Sequence, residues 1–152
     1  MTTVSSMAKL FQKIIKKLKT VSDVTKYVGS GNNARIYPSH ISTIQDVQYP
    51  AISVHAFSSP GKAITEGGME IIDIQIDFWF SHVGENANTW DDLMECHAAV
   101  LNELHNNSGF DTSISANIFQ IKNMSQGPQM LEPDTRLMHF PTRYRCNIIA
   151  ES

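Results

Sequence analysis

Carboxylates and arginines in two hydrophobic stretches are the first candidates for chemistry in this sequence. Asp73 and Asp77 stand four residues apart in one stretch, and with Glu70 they could form a carboxylate pair for acid–base catalysis or hydrolysis. Outward acids of a strand are more often solubilising groups or partners of basic residues on a neighbouring strand. Arg143 and Arg145, in the polar phase of a later stretch, are the expected partners here.

The histidines are the second candidates, because imidazole is a common zinc ligand. They follow no HxH or HExxH arrangement, and there are six: His40, His55, His82, His97, His105 and His139. His97 and His105 share a predicted helix, but a spacing of eight is poor for a common metal. A zinc site assembled across a sheet, for example from His55, His139 and Asp77, is left as an open alternative. Scattered histidines are more often surface or interface residues.

Motifs for nucleophilic catalysis and for phosphate binding are missing from the sequence. No serine lies in a GxSxG elbow, and Cys96 and Cys146 form no CxxC pair, so these thiols are most simply buried small hydrophobes in a reducing compartment. Gly29-Ser30-Gly31 and Gly67-Gly68 lack the lysine and the remaining glycines of a phosphate loop. We therefore predict no catalytic, cofactor-binding or metal-binding residue and no enzyme.

The composition indicates an ordinary globular protein of one domain, residues 1–152. The net charge is −3, with 41% hydrophobic and 18% charged residues. No apolar run approaches the roughly 18 residues of a membrane span, and the N-terminus lacks the apolar core and cleavage site of a secretory signal. Trp79 stands among acids, which is the wrong charge for a nucleic-acid platform. We expect a cytoplasmic protein, unless it joins a larger particle, with no membrane and no specific nucleic-acid partner.

The candidate residues must be positioned by strands, and the clearest of these is Glu70–Ser81. Its even positions from Ile72 to Phe80 are all apolar, whereas Asp73, Gln75 and Asp77 alternate with them, which is typical of a half-buried strand in mid-sheet. The opposite face is expected to meet water or another chain.

The other predicted elements are amphipathic helices at about 4–18 and 90–106, strands at 34–37, 50–57, 114–122 and 136–149, and long loops at 58–69 and 125–134. The segment 21–28 is ambiguous. Thr89 and Asp92 resemble a capping box, and the hydrophobic phase shifts between Ile118 and Phe119, which suggests a bulge. Pro141 suggests an edge strand or a bulge. The order predicts an α+β fold: a mostly antiparallel four- to five-stranded sheet with two helices packed on one face.

Four segments in this order resemble the tail terminator, or tail-completion, proteins of tailed bacteriophages, the family of minor tail protein U. They are RIYP at 35–38, YPAISV at 49–54, IQIDFWFS at 74–81 and the closing RLMHFPTRYRCNII at 136–149. The amphipathic N-terminal helix and the second helix continue the resemblance, which covers nearly the whole chain.

This resemblance implies a non-catalytic virion protein at the tail–neck junction, assembled in the host cytoplasm. It implies a ring, usually a hexamer, that caps the tail tube, ends tube polymerisation and provides the docking surface for the head. The implied partners are further copies of the chain, the tail tube protein, a head completion or neck protein and, if the tail is contractile, a sheath protein.

The polar phase of the strands and the long loops are the expected subunit or tube contacts. The residues are Asp73, Gln75, Asp77, Arg143 and Arg145 on the strands, and Lys62 and Glu66 in the first loop. Two alternatives remain open. One is a head–tail connector or neck protein, and the other, from a different class, is a small metal-dependent hydrolase.

Overall fold

The computed structural model describes residues 6–38, 47–56, 63–64, 69–83, 87–105, 116–132 and 136–150. The helices in these ranges are α1 (Ser6–Leu18), α2 (Ser22–Val28) and α3 (Trp90–Leu104), with a short 3-10 turn at Gly31–Asn33. The strands are β1 (Ile36–Tyr37), β2 (Ala51–Ala56), β3 (Ala63–Ile64), β4 (Met69–Ser81), β5 (Ala116–Gln126), β6 (Met130–Leu131) and β7 (Leu137–Ala150). The ambiguous segment is therefore helical.

One mixed sheet organises the described strands. Its main path is β1-β2-β4-β7-β5, with β3 added beside β4 and β6 beside β7. Only β1 and β2 pair in parallel among these strands; the other pairs are antiparallel. The predicted α+β fold is confirmed. The added strands β3 and β6 have two residues each and lie inside the two segments that were predicted as loops.

The core lies between the sheet and the helices. Ile74, Ile76, Phe78 and Phe80 of β4 are fully buried there, together with helix residues such as Leu10, Ile14, Leu18, Leu93, Val100 and Leu104. Each such side chain contributes roughly 1.5–3 kcal/mol relative to its exposed state. Lys13 of α1 is buried as well and is only 4% exposed. No helix in the described part of the chain is long and apolar enough to cross a membrane.

The predicted start of α3 is confirmed in atomic detail. The Thr89 hydroxyl accepts from the Asp92 amide at 3.2 Å, and the Asp92 carboxylate accepts from the Thr89 amide at 2.9 Å. The box satisfies two backbone N–H groups that the first turn leaves without helical partners.

The predicted bulge in β5 is also confirmed. Ile118 pairs with Ile148 and Gln120 with Asn147, so one extra residue is inserted, and a second irregularity follows Asn123. The loop predicted at 125–134 was wrong in part, because β5 continues to Gln126 and β6 begins at Met130.

Pro141 suggested an edge strand or a bulge, and the first of these two possibilities was wrong. Strand β7 is interior, with β4 on one side and β5 and β6 on the other. Pro141 stands where the neighbour changes from β6 to β5, and its carbonyl accepts from the Gly127 amide at 2.9 Å. The nitrogen and oxygen of one strand residue point to the same side. The position of the missing N–H of Pro141 therefore faces the point between β6 and β5, where no backbone hydrogen bond to a neighbouring strand is required.

Candidate functional site

Strand alternation places the predicted site residues of β4 and β7 on the sheet face opposite the helices, which we call the outer face. Tyr144 and Cys146 of β7 are buried in the core, whereas Arg143 and Arg145, which alternate with them, are exposed. Arg145 lies opposite Asp73 on β4, and its Nε and Nη2 donate to the two carboxylate oxygens at 2.9 and 3.1 Å. This bond raises the pKa of Arg145, and it is the cross-strand ion pair that the sequence indicated.

Asp77 differs from Asp73 because its side chain is only 1% exposed. Its Oδ2 accepts from His55 Nε2 at 2.7 Å, and its Oδ1 accepts from His139 Nε2 at 3.0 Å and from Gln75 Nε2 at 2.9 Å. We call these four residues the Asp77 cluster. The expectation that the polar phase of β4 is open to water or to a neighbour was wrong at this position, since the partners of Asp77 enclose it within its own chain.

The electrostatics of Asp77 reflect two opposing causes. Burial raises the pKa of its carboxyl group, but the hydrogen bonds from His139, His55 and Gln75 outweigh burial and hold the pKa well below its usual range. Asp77 is therefore a buried anion held by donors from β2, β4 and β7. The cluster fastens three adjacent strands across the outer face.

Aromatic and apolar side chains cover the end of the outer face next to this cluster. Trp79 is 7% exposed, its ring stacks on that of His139 at a centroid distance of 3.8 Å, and its Nε1 donates to Ser53 Oγ at 3.2 Å. Buried Ala51 and Leu137 pack with Trp79, and partly buried Tyr37, Val47 and Tyr49 pack against these three. The outer face is therefore covered at one end and polar at the other.

The structure brings His55, His139 and Asp77 together, as the zinc alternative required. Each histidine Nε2 lies at hydrogen-bond distance from a different carboxylate oxygen. Among the described residues, no group of three or more histidine, cysteine or acidic side chains has an arrangement that could hold a metal ion. The suggested carboxylate pair is not formed either, because Asp73 and Asp77 bind different partners.

The remaining predicted site residues fall into two groups. Gln75 belongs to the Asp77 cluster, and Arg143 lies opposite it on β7. Lys62 and Glu66 lie outside the described residues, so their role stays a prediction. Ser53 and the stacking of Trp79 on His139 were missed. The outward phase of β2, which carries Ser53 and His55 as polar residues in a strand, was the available signal.

Comparisons with known proteins bear on the fold alone. No protein-family model matches the sequence, and no curated protein matches it. Among solved structures, the chain is similar to one in the "Virion of native gene transfer agent (GTA) particle", with a TM-score of 0.69. The alignment covers 95% of this chain and 98% of that chain, at 11% sequence identity. The two chains therefore share one fold over nearly all of their lengths.

Proposed function

We propose that this protein is a structural component of a virion that forms a ring, with six copies, on the end of a tail tube. The ring ends tube polymerisation and presents the surface to which the head or neck docks. Its partners are further copies of the chain, the tail tube protein, a head completion or neck protein and, in a contractile tail, the sheath protein. No catalytic step belongs to this role.

The observation that carries the proposal is the fold shared with a virion chain over nearly the full length of both chains. A second, independent support is the order of sequence segments that resembles the tail terminators. The polar end of the outer face, with exposed Arg143 and Arg145, supports a role in contacts between proteins. The Asp77 cluster is consistent with a structural role, because it joins strands.

Deleting the gene from the particle-forming genome that carries it would test the capping role. We expect free heads and headless tails whose tubes are longer than normal and variable in length under the electron microscope. Expression of the wild-type chain in trans is the control and should restore uniform tails. Complete particles with normal tails in the deletion strain would contradict the proposal.

The gene deletion also tests the connector alternative, and a metal analysis of the purified chain tests the hydrolase alternative. A head–tail connector or neck protein would leave tails of uniform, normal length that fail to join heads. A metal-dependent hydrolase would retain a stoichiometric metal after dialysis and would not be incorporated into particles. Light scattering on the purified chain adds a direct measurement, since a mass near six chains supports the ring.

A further inference from the structure

A group of cations lies on the polar end of the outer face. Lys122 of β5 lies opposite Arg145 of β7, and Arg143 follows on the same face. All three side chains are exposed, and Asp73, bonded to Arg145, is the acid within the group. We call these four residues the basic patch; three cations against one carboxylate leave a net charge of +2 at neutral pH.

Acids collect on the other side of the sheet, on the outward surface of α2 and α3. Lys26 of α2 bonds to Glu95 of α3 and lies 3.7 Å from Asp23, which places Asp23 beside the N-terminal half of α3. Asp91 is exposed one turn before Glu95, and Asp92 is next to it. We call these five residues the acidic patch; four acids against one lysine leave a net charge of −3.

The two patches cannot meet within one molecule, because the sheet and its core separate them. The inner side of α3, including Leu93 and Val100, packs into the core with Phe78 of β4, so the acidic patch points away from the sheet. The basic patch lies on the outer face of the sheet, and the three helices of the described ranges pack on the other face. Two copies related by a twofold axis through either patch would place like charges against each other, which opposes association.

We propose that the basic patch of one copy binds the acidic patch of the next copy, so that the chain associates head to tail. Such a heterologous contact forms a closed ring when its rotation closes. The inference rests on the proposed ring and deepens it, because it assigns the two surfaces that join neighbouring subunits. It also predicts an association that weakens with salt, since the Debye length falls from about 10 Å at 0.1 M to about 3 Å at 1 M.

Paired charge reversals test this contact. One variant carries Lys122→Glu and Arg143→Glu, and the other carries Asp23→Lys and Asp91→Lys. Each should weaken self-association, followed by light scattering and sedimentation velocity, by at least about tenfold in dissociation constant. Lys19→Glu lies outside both patches, changes the net charge in the same direction as the first variant, and should associate like the wild type. Circular dichroism verifies that every variant is folded.

Mixing the two paired variants is the sharper measurement. Each variant retains one native patch, and the reversed patches are again opposite in sign, so both kinds of contact in an alternating ring are complementary. We expect the mixture to recover the mass of the wild-type assembly, although neither variant reaches it alone. Folded variants that assemble individually like the wild type, or a mixture that stays dissociated, would overturn the inference.

Failure of the head-to-tail contact can be distinguished from failure of the proposed capping function. A wild-type chain that stays monomeric at every concentration and at low salt would overturn direct head-to-tail binding. The gene-deletion test would still decide whether the chain caps tubes. Conversely, charge-dependent rings together with normal tails in the deletion strain would support this inference and overturn the capping role.

Discussion

At Asp77, burial and ionisation coexist because hydrogen-bond donors replace the water that the carboxylate loses on folding. Two histidines and one glutamine supply these donors. Asp73, four residues earlier on the same face, is bound by the half-exposed Arg145 instead. The two aspartates therefore allow a comparison within one strand. Asp77 is a buried carboxylate, whereas the ion pair of Asp73 is screened by solvent at Arg145.

We expect Asp77→Asn to lower the free energy of unfolding at pH 7 by about 1–3 kcal/mol, because it removes the buried charge to which three partly buried donors bind. Asp73→Asn is the matched control on the same strand, and it should cost less than about 1 kcal/mol because its partner is half exposed. Urea denaturation of both variants gives the comparison. Equal losses would contradict the special role of Asp77.

The difference in free energy of unfolding between the wild type and Asp77→Asn should also depend on pH, and it should decrease at low pH. The pKa of Asp77 is lower in the folded chain than in the unfolded chain. Its contribution is therefore fully present above the unfolded value of about 4 and is lost as the pH falls from there toward the folded value. Urea denaturation between pH 7 and pH 3 measures the difference, which should shrink only at the acid end.

His97 also has a lower pKa in the folded chain than in the unfolded chain, but it acts in a higher pH range than Asp77. It is 3% exposed, its Nε2 lies 3.1 Å from Gln126 Oε1, and burial lowers its pKa. Below the unfolded pKa of about 6.5, the unfolded chain binds a proton at this residue more readily than the folded chain does. The free energy of unfolding therefore decreases as the pH is lowered, by up to about 1.4 kcal/mol per pH unit.

We predict that His97→Met reduces this slope between pH 7 and pH 5, because it removes the buried imidazole while keeping an apolar side chain of similar volume. Denaturation midpoints across this range give the slope. His82→Gln removes an exposed histidine and is the control. An unchanged slope in His97→Met would show that His97 is not the group responsible.

At the scale of the elements, the start of α3 is specified by a local capping box. Its capping box consists of two reciprocal hydrogen bonds between residues three apart. Such a device acts through the backbone of the first turn and does not require the sheet.

Thr89→Ala should therefore lower the free energy of unfolding by about 1 kcal/mol, because the first turn loses its side-chain acceptor. Asn102→Ala, at an exposed position inside the same helix, should be neutral or slightly stabilising, since alanine is the better helix former. Thermal unfolding followed by circular dichroism compares the two. A neutral Thr89→Ala would mean that the cap contributes nothing.

At the scale of the whole molecule, the sheet separates the core on its helix side from the outer face. Trp90, at the start of α3, packs against the helix-side core, and Trp79 lies on the outer face, so the two tryptophans of the chain report on opposite faces of the sheet. Both faces share β4, whose even residues fill the core and whose odd residues bind across the outer face.

We predict that the chain unfolds as a single domain. Trp79→Phe and Trp90→Phe each leave one tryptophan, and their urea transitions by fluorescence should coincide with circular dichroism after correction for any change in stability. A transition at the outer face that precedes loss of secondary structure would instead indicate two cooperative units.

Much of the fold follows from local patterns in the sequence. The alternation in β4, the capping box of α3 and the phase shift in β5 are all short-range features, and each was predicted correctly. They can be predicted from the sequence because strand alternation, helix capping and a β-bulge each depend on residues that are a few positions apart. The Asp73–Arg145 pair follows too, once β4 and β7 are taken as neighbours.

Other features depended on which distant segments meet. The same period-two pattern covers Asp73 and Asp77, yet one binds a half-exposed arginine and the other is enclosed by His55, Gln75 and His139. Pro141 likewise suggested an edge, whereas the turn at Gly127 lets it stand in an interior strand. By itself, the sequence determined the elements and which residues share a strand face. Only the tertiary structure decided which part of that face is buried, because burial depends on segments far apart along the chain.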